Sequence, residues 1–218
     1  MQLGDRLYQK RRLELVEDLR RKGIDNEAVL AAIGSVLRHL FVEPALRGRA
    51  YYDQALPIGL RQTISQPFTV AYQTMLLDPK PGECILEVGT GSGYQAAVLS
   101  AMGVRLFSIE RHGPLLSRSR EVLDRQGYRV VTRHGDGTQG WAACAPFDGI
   151  IVTAAAERVP DALLEQLRRP DDTGYGGRLI IPIGGTGSQT MTRITCVGSD
   201  AYEVQETNSF RFVPLVTG

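Results

Sequence analysis

Residues 84–102 read CILEVGTGSGYQAAVLSAM: an apolar, β-branched run that carries an acid near its end, breaks into three alternating glycines, and resumes as a helix pattern closed by Gly103. Continuous apolarity over so short a stretch suits a strand buried on both faces, which requires a mostly parallel sheet with helices on each side. Gly89, Gly91 and Gly93 let backbone approach a ligand where any Cβ would collide. This strand, glycine loop and helix commit the chain to α/β architecture.

The pattern downstream repeats the alternation. An apolar strand over 104–109 ends at Glu110, a helix over 114–126 stops at Gly127, and strands over 129–133, Gly149–Val152 and 178–182 are interleaved with a helix over 160–167. Strands alternating with helices predict a doubly wound sheet with right-handed crossovers. Two β-like runs, 190–197 and 202–213, flank the turn Gly198-Ser199-Asp200 and predict a hairpin that adds an antiparallel edge. Upstream, residues 3–22 form an amphipathic helix candidate with Leu7, Leu13, Val16 and Leu19 on one side and Gly23 as its stop. Asp25 is placed to cap a second helix through about Leu37, with Ile24 and Val29 spaced as a hydrophobic staple. The expected fold is α/β, a doubly wound, mostly parallel, Rossmann-like sheet with an N-terminal helical appendage and a C-terminal antiparallel edge hairpin. Its expected division is 1–78 for the appendage and substrate loop and 79–218 for the cofactor-binding core.

A chain of 218 residues, 43% hydrophobic, can bury a full core as one domain with an appendage. A net charge of +1 argues against a protein that holds nucleic acid electrostatically. Lysine occurs only at Lys10, Lys22 and Lys80, a bias that genome composition and heat adaptation explain equally. Cys84, Cys144 and Cys196 lack C-x-x-C spacing and read as small core residues of a reducing compartment. No apolar run approaches the ~20 residues of a membrane span, and the N-terminal MQLGDRLYQKRR has no signal-peptide core. A cytoplasmic monomer without a membrane partner is expected. His39, His112 and His134 are scattered without ligand spacing, so no metal is expected.

The glycine loop departs from the dinucleotide fingerprint, since Tyr94 stands where G-x-G-x-x-G wants its third glycine. Glu87 also places an acid at the strand end, which suits a cationic ligand better than a pyrophosphate. The pattern E-x-G-x-G-x-G looks like the first motif of S-adenosylmethionine-dependent methyltransferases. Glu110, about 20 residues on, is positioned to accept from ribose hydroxyls, which both the methyl-donor and the nicotinamide readings require. Asp136 and Gly137 follow the third strand and open onto the same crevice; an adenine contact and an ordinary Asp-Gly turn both fit. Residues 55–67, ALPIGLRQTISQP, read as a loop offering the hydroxyls of Thr63 and Ser65. No histidine neighbours Ser65, so a serine nucleophile has little support, and by itself the run reads as a turn with Ser65 capping a helix.

Taken together, ALPIGLRQTISQP, ILEVGTGSGYQ, the run Arg133 to Gly137, PFDGIIVTAAA and the terminal RFVPL closely resemble the protein-L-isoaspartate O-methyltransferase family, from about residue 5 to the C-terminus. The resemblance implies a repair enzyme that methylates the free α-carboxylate of isoaspartyl residues in damaged proteins and peptides, using S-adenosylmethionine and releasing S-adenosylhomocysteine. It implies Ser65 as the active-site residue, with Thr63 and Ile64 beside the methyl-transfer site and Val213 of the tail Val213-Pro214-Leu215 bordering the substrate groove. The cofactor contacts it implies are Glu87, Gly89, Gly91, Gly93, Glu110, Asp136 and Gly137. Two departures stand out: Phe68 and Val70 occupy positions where some relatives carry histidine, and a polar insertion surrounds Asp171 to Tyr175. The competing readings are a methyltransferase acting on RNA or a small molecule, a nicotinamide oxidoreductase, and a catalytically inactive scaffold.

Overall fold

A computed structural model of the chain describes residues 3–172, 174 and 176–215. The interleaved pattern folds as its periodicity predicts. Strands β3 (Cys84–Val88), β4 (Arg105–Glu110), β5 (Val130–His134), β6 (Gly149–Val152) and β7 (Arg178–Ile183) alternate with helices α4 (Tyr94–Ala101), α5 (Gly113–Arg125) and α6 (Asp161–Glu165). With β8 (Gln189–Cys196) and β9 (Tyr202–Phe210) they form one seven-stranded sheet in the order β5-β4-β3-β6-β7-β8-β9. The first five strands pair in parallel, whereas β8 on β7 and β9 on β8 are antiparallel. The expected edge hairpin is therefore present, and the fold is the Rossmann-like doubly wound sheet.

Both faces of β3 are covered, which explains its unbroken apolarity. Ile85 joins an apolar cluster with Val98, Leu99 and Ile180, while Leu86 and Val88 point into a second cluster with Ile150, Leu163 and Leu179. Each such side chain contributes roughly 1.5–3 kcal/mol on burial. The first cluster continues without a break into α1 (Leu3–Arg21) and α2 (Glu27–Ser35) through Leu15, Leu19, Val29, Leu30 and Ile33.

The N-terminal third departs from expectation in four respects. The buried face of α1 is Leu15 and Leu19 with half-buried Tyr8 and Val16, while Leu7 and Leu13 are 48% and 59% exposed. At about 100° per residue Tyr8, Leu15 and Leu19 fall within a narrow arc that excludes both exposed leucines. The cap of α2 is Asn26, whose Oδ1 accepts from Val29 N at 3.2 Å, in place of Asp25. Within the expected loop, β1 (Leu56–Gly59) and β2 (Gln62–Ile64) pair as an antiparallel hairpin turned at Leu60 and Arg61, with φ of 50° and 58°. Hairpin turns of this kind favour Asn-Gly, so Leu-Arg gave no sequence signal.

The fourth departure is at α3 (Pro67–Leu77), capped by Gln66 without a side-chain bond rather than by Ser65. The free N–H of Phe68 is instead satisfied from outside the helix by Asp53 Oδ1 at 2.8 Å. α3 packs on β6, β7 and β8, and Gln73 Nε2 donates to Val152 O at 2.9 Å. In the insertion after α6, Thr173 and Tyr175 lie outside the described residues, while Arg168 pairs with both Asp148 and Asp171.

Candidate functional site

β3 is flanked by β4 on one side and β6 on the other, so successive crossovers diverge there and leave a crevice above its C-terminal end. The glycine loop lies at that point. The N–H groups of Gly89 and Thr90 both donate to Ile109 O, at 2.8 and 3.2 Å, folding the loop onto the end of β4. Gly91 has φ +54°, and a Cβ built there would meet only Ile58 Cδ1 at 3.6 Å, so the space over the loop is open to a ligand. Gly89 and Gly93 are required by packing: a Cβ on Gly89 would lie 2.4 Å from Thr153 Oγ1, and one on Gly93 3.2 Å from Ser119 Cβ.

Glu110 closes the far side of this cradle. Its Oε2 accepts from Gly91 N at 2.7 Å and its Oε1 from His112 N at 2.8 Å, so the carboxylate is locked at the cavity wall. Each oxygen retains a lone pair for a ligand hydroxyl. Gly89, Thr90, Gly91, Ser92 and Glu110 line one cavity together with Thr63, Ile64, Ser65, Val213 and Gly137. A segment separated from the glycine loop by some twenty residues and another from the C-terminus thus meet over it. Ala155 secures the tail by donating to Val213 O at 2.8 Å and accepting from Leu215 N at 2.7 Å.

Glu87 and Asp136 are not among the residues lining the cavity, and Gly137, which is, is glycine for packing. The side chain of Glu87 is fully buried and shares a 2.5 Å hydrogen bond with Ser108 Oγ, which in turn bonds Thr90 Oγ1 at 2.6 Å. Burial, reinforced by the charge of Glu110 and opposed by the Ser108 bond, pushes its carboxyl up to about 8. Glu87 is therefore a neutral group beneath the loop at neutral pH and absent from the cavity lining, not the exposed anion expected from its place at the strand end. Asp136 Oδ1 accepts from Thr138 N at 2.9 Å and Thr138 Oγ1 at 2.8 Å, capping the turn Gly137–Gln139. Gly137 is glycine because a Cβ would lie 2.3 Å from Val88 Cγ1, so its close approach is to strand β3.

Across the cavity from the glycine loop, half-buried Ser65 has its carbonyl held by Arg38 Nη2 at 2.9 Å. Arg38 is wholly buried and its guanidinium lies 4.6 Å from the ring centroid of Tyr94, itself buried and pushed up to about 12 by that burial. Sequence reasoning missed Arg38, Tyr94, Gln95 and Thr153 as parts of this region, because nothing in their local pattern distinguishes them from core or helix residues. Beyond the tail lies a second cavity of about 850 Å³, lined by Ala156, Arg158, Gly184, Gln189 and Phe212, which shares Pro214 and Leu215 with the first.

Residues 10–218 match the family model for protein-L-isoaspartate(D-aspartate) O-methyltransferase. The chain is 64% identical over 216 residues to the protein-L-isoaspartate O-methyltransferase of Salinibacter ruber, covering 97% of this chain and 94% of that one. It is 51% identical over 212 residues to its namesake from Halorhodospira halophila, covering 96% and 93%. Among solved structures, a putative enzyme of the same name from Plasmodium falciparum, in complex with S-adenosyl-L-homocysteine, superposes with a TM-score of 0.79 at 25% identity, covering 95% of this chain and 99% of that one. An agreement this continuous, spanning the hairpin β1–β2, the glycine loop and the tail that converge on one cavity, makes the chain a member of the protein-L-isoaspartate O-methyltransferase family.

Proposed function

We propose that this chain methylates the free α-carboxylate of L-isoaspartyl residues in damaged proteins and peptides, with Ser65 orienting that carboxylate. The observation that carries the reading is the single cavity in which Thr63, Ile64 and Ser65 face the glycine loop and Glu110. Its open space over Gly91 and its fixed carboxylate suit a nucleoside-bearing ligand. S-adenosylmethionine, when bound, supplies a methyl group on a positively charged sulfur and is released as S-adenosylhomocysteine.

The residues divide the work. Glu110 accepts from ribose hydroxyls, and the Gly89 to Gly93 loop gives the ligand room. Asp136 acts through the turn it caps, which carries Gly137 to the cavity wall, and Glu87 supports the loop from below through Ser108 and Thr90. The acceptor needs no base, because a carboxyl of this type has a pKa of about 3.5 and is already ionised. What remains is to hold it at a near-attack distance of about 3 to 3.5 Å in the right orientation. Ser65 contributes a hydrogen bond, Thr63 and Ile64 flank it, and Val213 borders the path by which an extended polypeptide leaves toward the second cavity. Without further help the backbone nitrogen of the next residue then attacks the ester carbonyl and expels methanol, giving a succinimide whose hydrolysis returns part of the population to normal aspartate. Residues 1–78 accordingly serve the acceptor and 79–218 the cofactor. The three free cysteines, two of them buried, suit a reducing cytoplasm, and a net charge of +1 suits a monomer that acts on polypeptide rather than nucleic acid.

The test compares an isoaspartyl peptide with its aspartyl twin in the presence of methyl-labelled S-adenosylmethionine. Base-labile label in the isoaspartyl peptide alone is expected; equal labelling of both, or label only in RNA or a small molecule, overturns the reading. Ser65→Ala is expected to lower kcat about ten- to a hundredfold, or ~1.4 to 2.7 kcal/mol, with cofactor affinity nearly intact. The pH profile should keep its shape, and mass spectrometry during turnover should find no methylated Ser65.

A further inference from the structure

Arg38 is a buried cation held by backbone and an aromatic ring. It has no solvent-exposed surface; its Nε donates to Ala50 O at 2.8 Å and its Nη2 to Ser65 O at 2.9 Å. Its guanidinium lies over the ring of Tyr94, the first residue of α4 and the one directly after the glycine loop. The acid that attracts it, Asp53, is committed to Phe68 N, Gln66 Nε2 and Lys22 Nζ, at 2.8, 3.0 and 2.7 Å. Burying a guanidinium whose bonds run to neutral carbonyls is costly, and a hydrocarbon of similar size would fill this space more favourably. What an apolar residue would lack is the simultaneous grip on two segments. Ser65 stands on the acceptor segment and Tyr94 beside the cofactor loop, and both line the same cavity. Arg38 lies behind that cavity and is not among its lining residues.

We propose that Arg38 is a positioning residue for methyl transfer, a rigid spacer that fixes the acceptor segment at Ser65 relative to the cofactor side at Tyr94. The inference rests on Ser65 as the group that orients the acceptor carboxylate. A planar guanidinium reaches two carbonyls and sits over a ring at once, whereas the ammonium of lysine is a point donor on a flexible stem. Displacing an acceptor by even ~1 Å can cost on the order of a hundredfold in rate. Asp53 completes the arrangement from the other side by fixing Gln66 and Phe68, so that residues 65–68 are held between two charged side chains.

The experiment measures Arg38→Lys, Ser65→Ala and the double variant, each with kcat expressed per cofactor-binding site counted by calorimetric titration with S-adenosylhomocysteine. Arg38→Lys is expected to lose ~10-fold or more in kcat while its affinity for S-adenosylhomocysteine stays within about threefold. In the Ser65→Ala background the same change should cost less than about threefold, since the two residues act as a unit. A kcat per site within about twofold of wild type, or a loss that multiplies fully with that of Ser65→Ala, overturns the proposal. Ser65→Ala as fast as wild type would instead remove the role of Ser65, a distinct result. For a folding-independent check, Arg38→Ala is assayed with added methylguanidinium. Saturable recovery of kcat with that ion and not with methylammonium supports the spacer; equal recovery with both overturns it.

Discussion

At the residue scale, chemistry is set by how burial and hydrogen bonding treat each polar group. Glu110 lines the cavity, its carboxyl held by two backbone N–H groups at 2.7 and 2.8 Å. Glu110→Ala is expected to weaken S-adenosylhomocysteine binding by ~1.5–3 kcal/mol, about ten- to a hundredfold, through loss of a charged acceptor and loosening of the loop at Gly91. Calorimetric titration of the folded variant checks this. Glu87 is the converse case, pushed up from 4.5 to about 8 chiefly by burial. The folded protein holds a proton on Glu87 between those values that the unfolded chain has released, so stability falls as pH rises from about 5 to 8, on the order of 1 kcal/mol per unit. Glu87→Gln removes that slope. Urea midpoints of the two proteins should therefore converge toward pH 5 and separate in favour of the variant toward pH 8, and parallel profiles would show that Glu87 is ionised in the fold.

At the scale of elements, the hairpin β1–β2 brings Thr63 and Ile64 to the cavity on a turn that its sequence does not favour. Leu60 and Arg61 occupy left-handed backbone at φ 50° and 58°, both exposed. Such conformations cost non-glycine residues of order 1–3 kcal/mol. Arg61→Gly is expected to raise stability by about 1 kcal/mol, or Tm by ~2–4 °C in scanning calorimetry. This strain also explains why the hairpin was illegible: its strands are short, its turn lacks Asn-Gly, and it is held in place by Leu56, Ile58 and Ile64, which join the core cluster shared with α2 and the sheet. The central parallel strands β3, β6 and β7 were legible because they are buried on both faces and bounded by glycine or proline, while the edge strand β5, only partly buried, was marked by the glycines on either side of it. α1 was legible as a helix yet not in its facing, since only the position of α2 and the sheet determines that Leu15 and Leu19, and not Leu7 and Leu13, are covered.

At the scale of the whole molecule, appendage and sheet share one core. Leu19, Leu30 and Ile33 belong to the cluster that contains Ile85, Val98 and Leu106, and α2 packs on α4. Residues 79–218 alone are expected not to fold cooperatively: three such side chains already contribute roughly 5–9 kcal/mol, comparable to the about 5–15 kcal/mol of a whole domain. A sharp urea transition in that fragment would overturn this expectation.

The amino-acid order by itself determined the parallel alternation, the glycine loop at the end of β3, the acid at the end of β4 and the edge hairpin. Each of their elements is encoded locally, by periodicity and by residues that only certain backbone conformations accept. Tertiary structure alone decided that Glu87 is neutral, that Asp136 caps a turn, that Asp53 rather than Ser65 takes the free Phe68 N–H of α3, and that Arg38 links Ser65 to Tyr94. These depend on desolvation and on partners up to tens of residues away, and neither quantity exists until the chain has closed on itself.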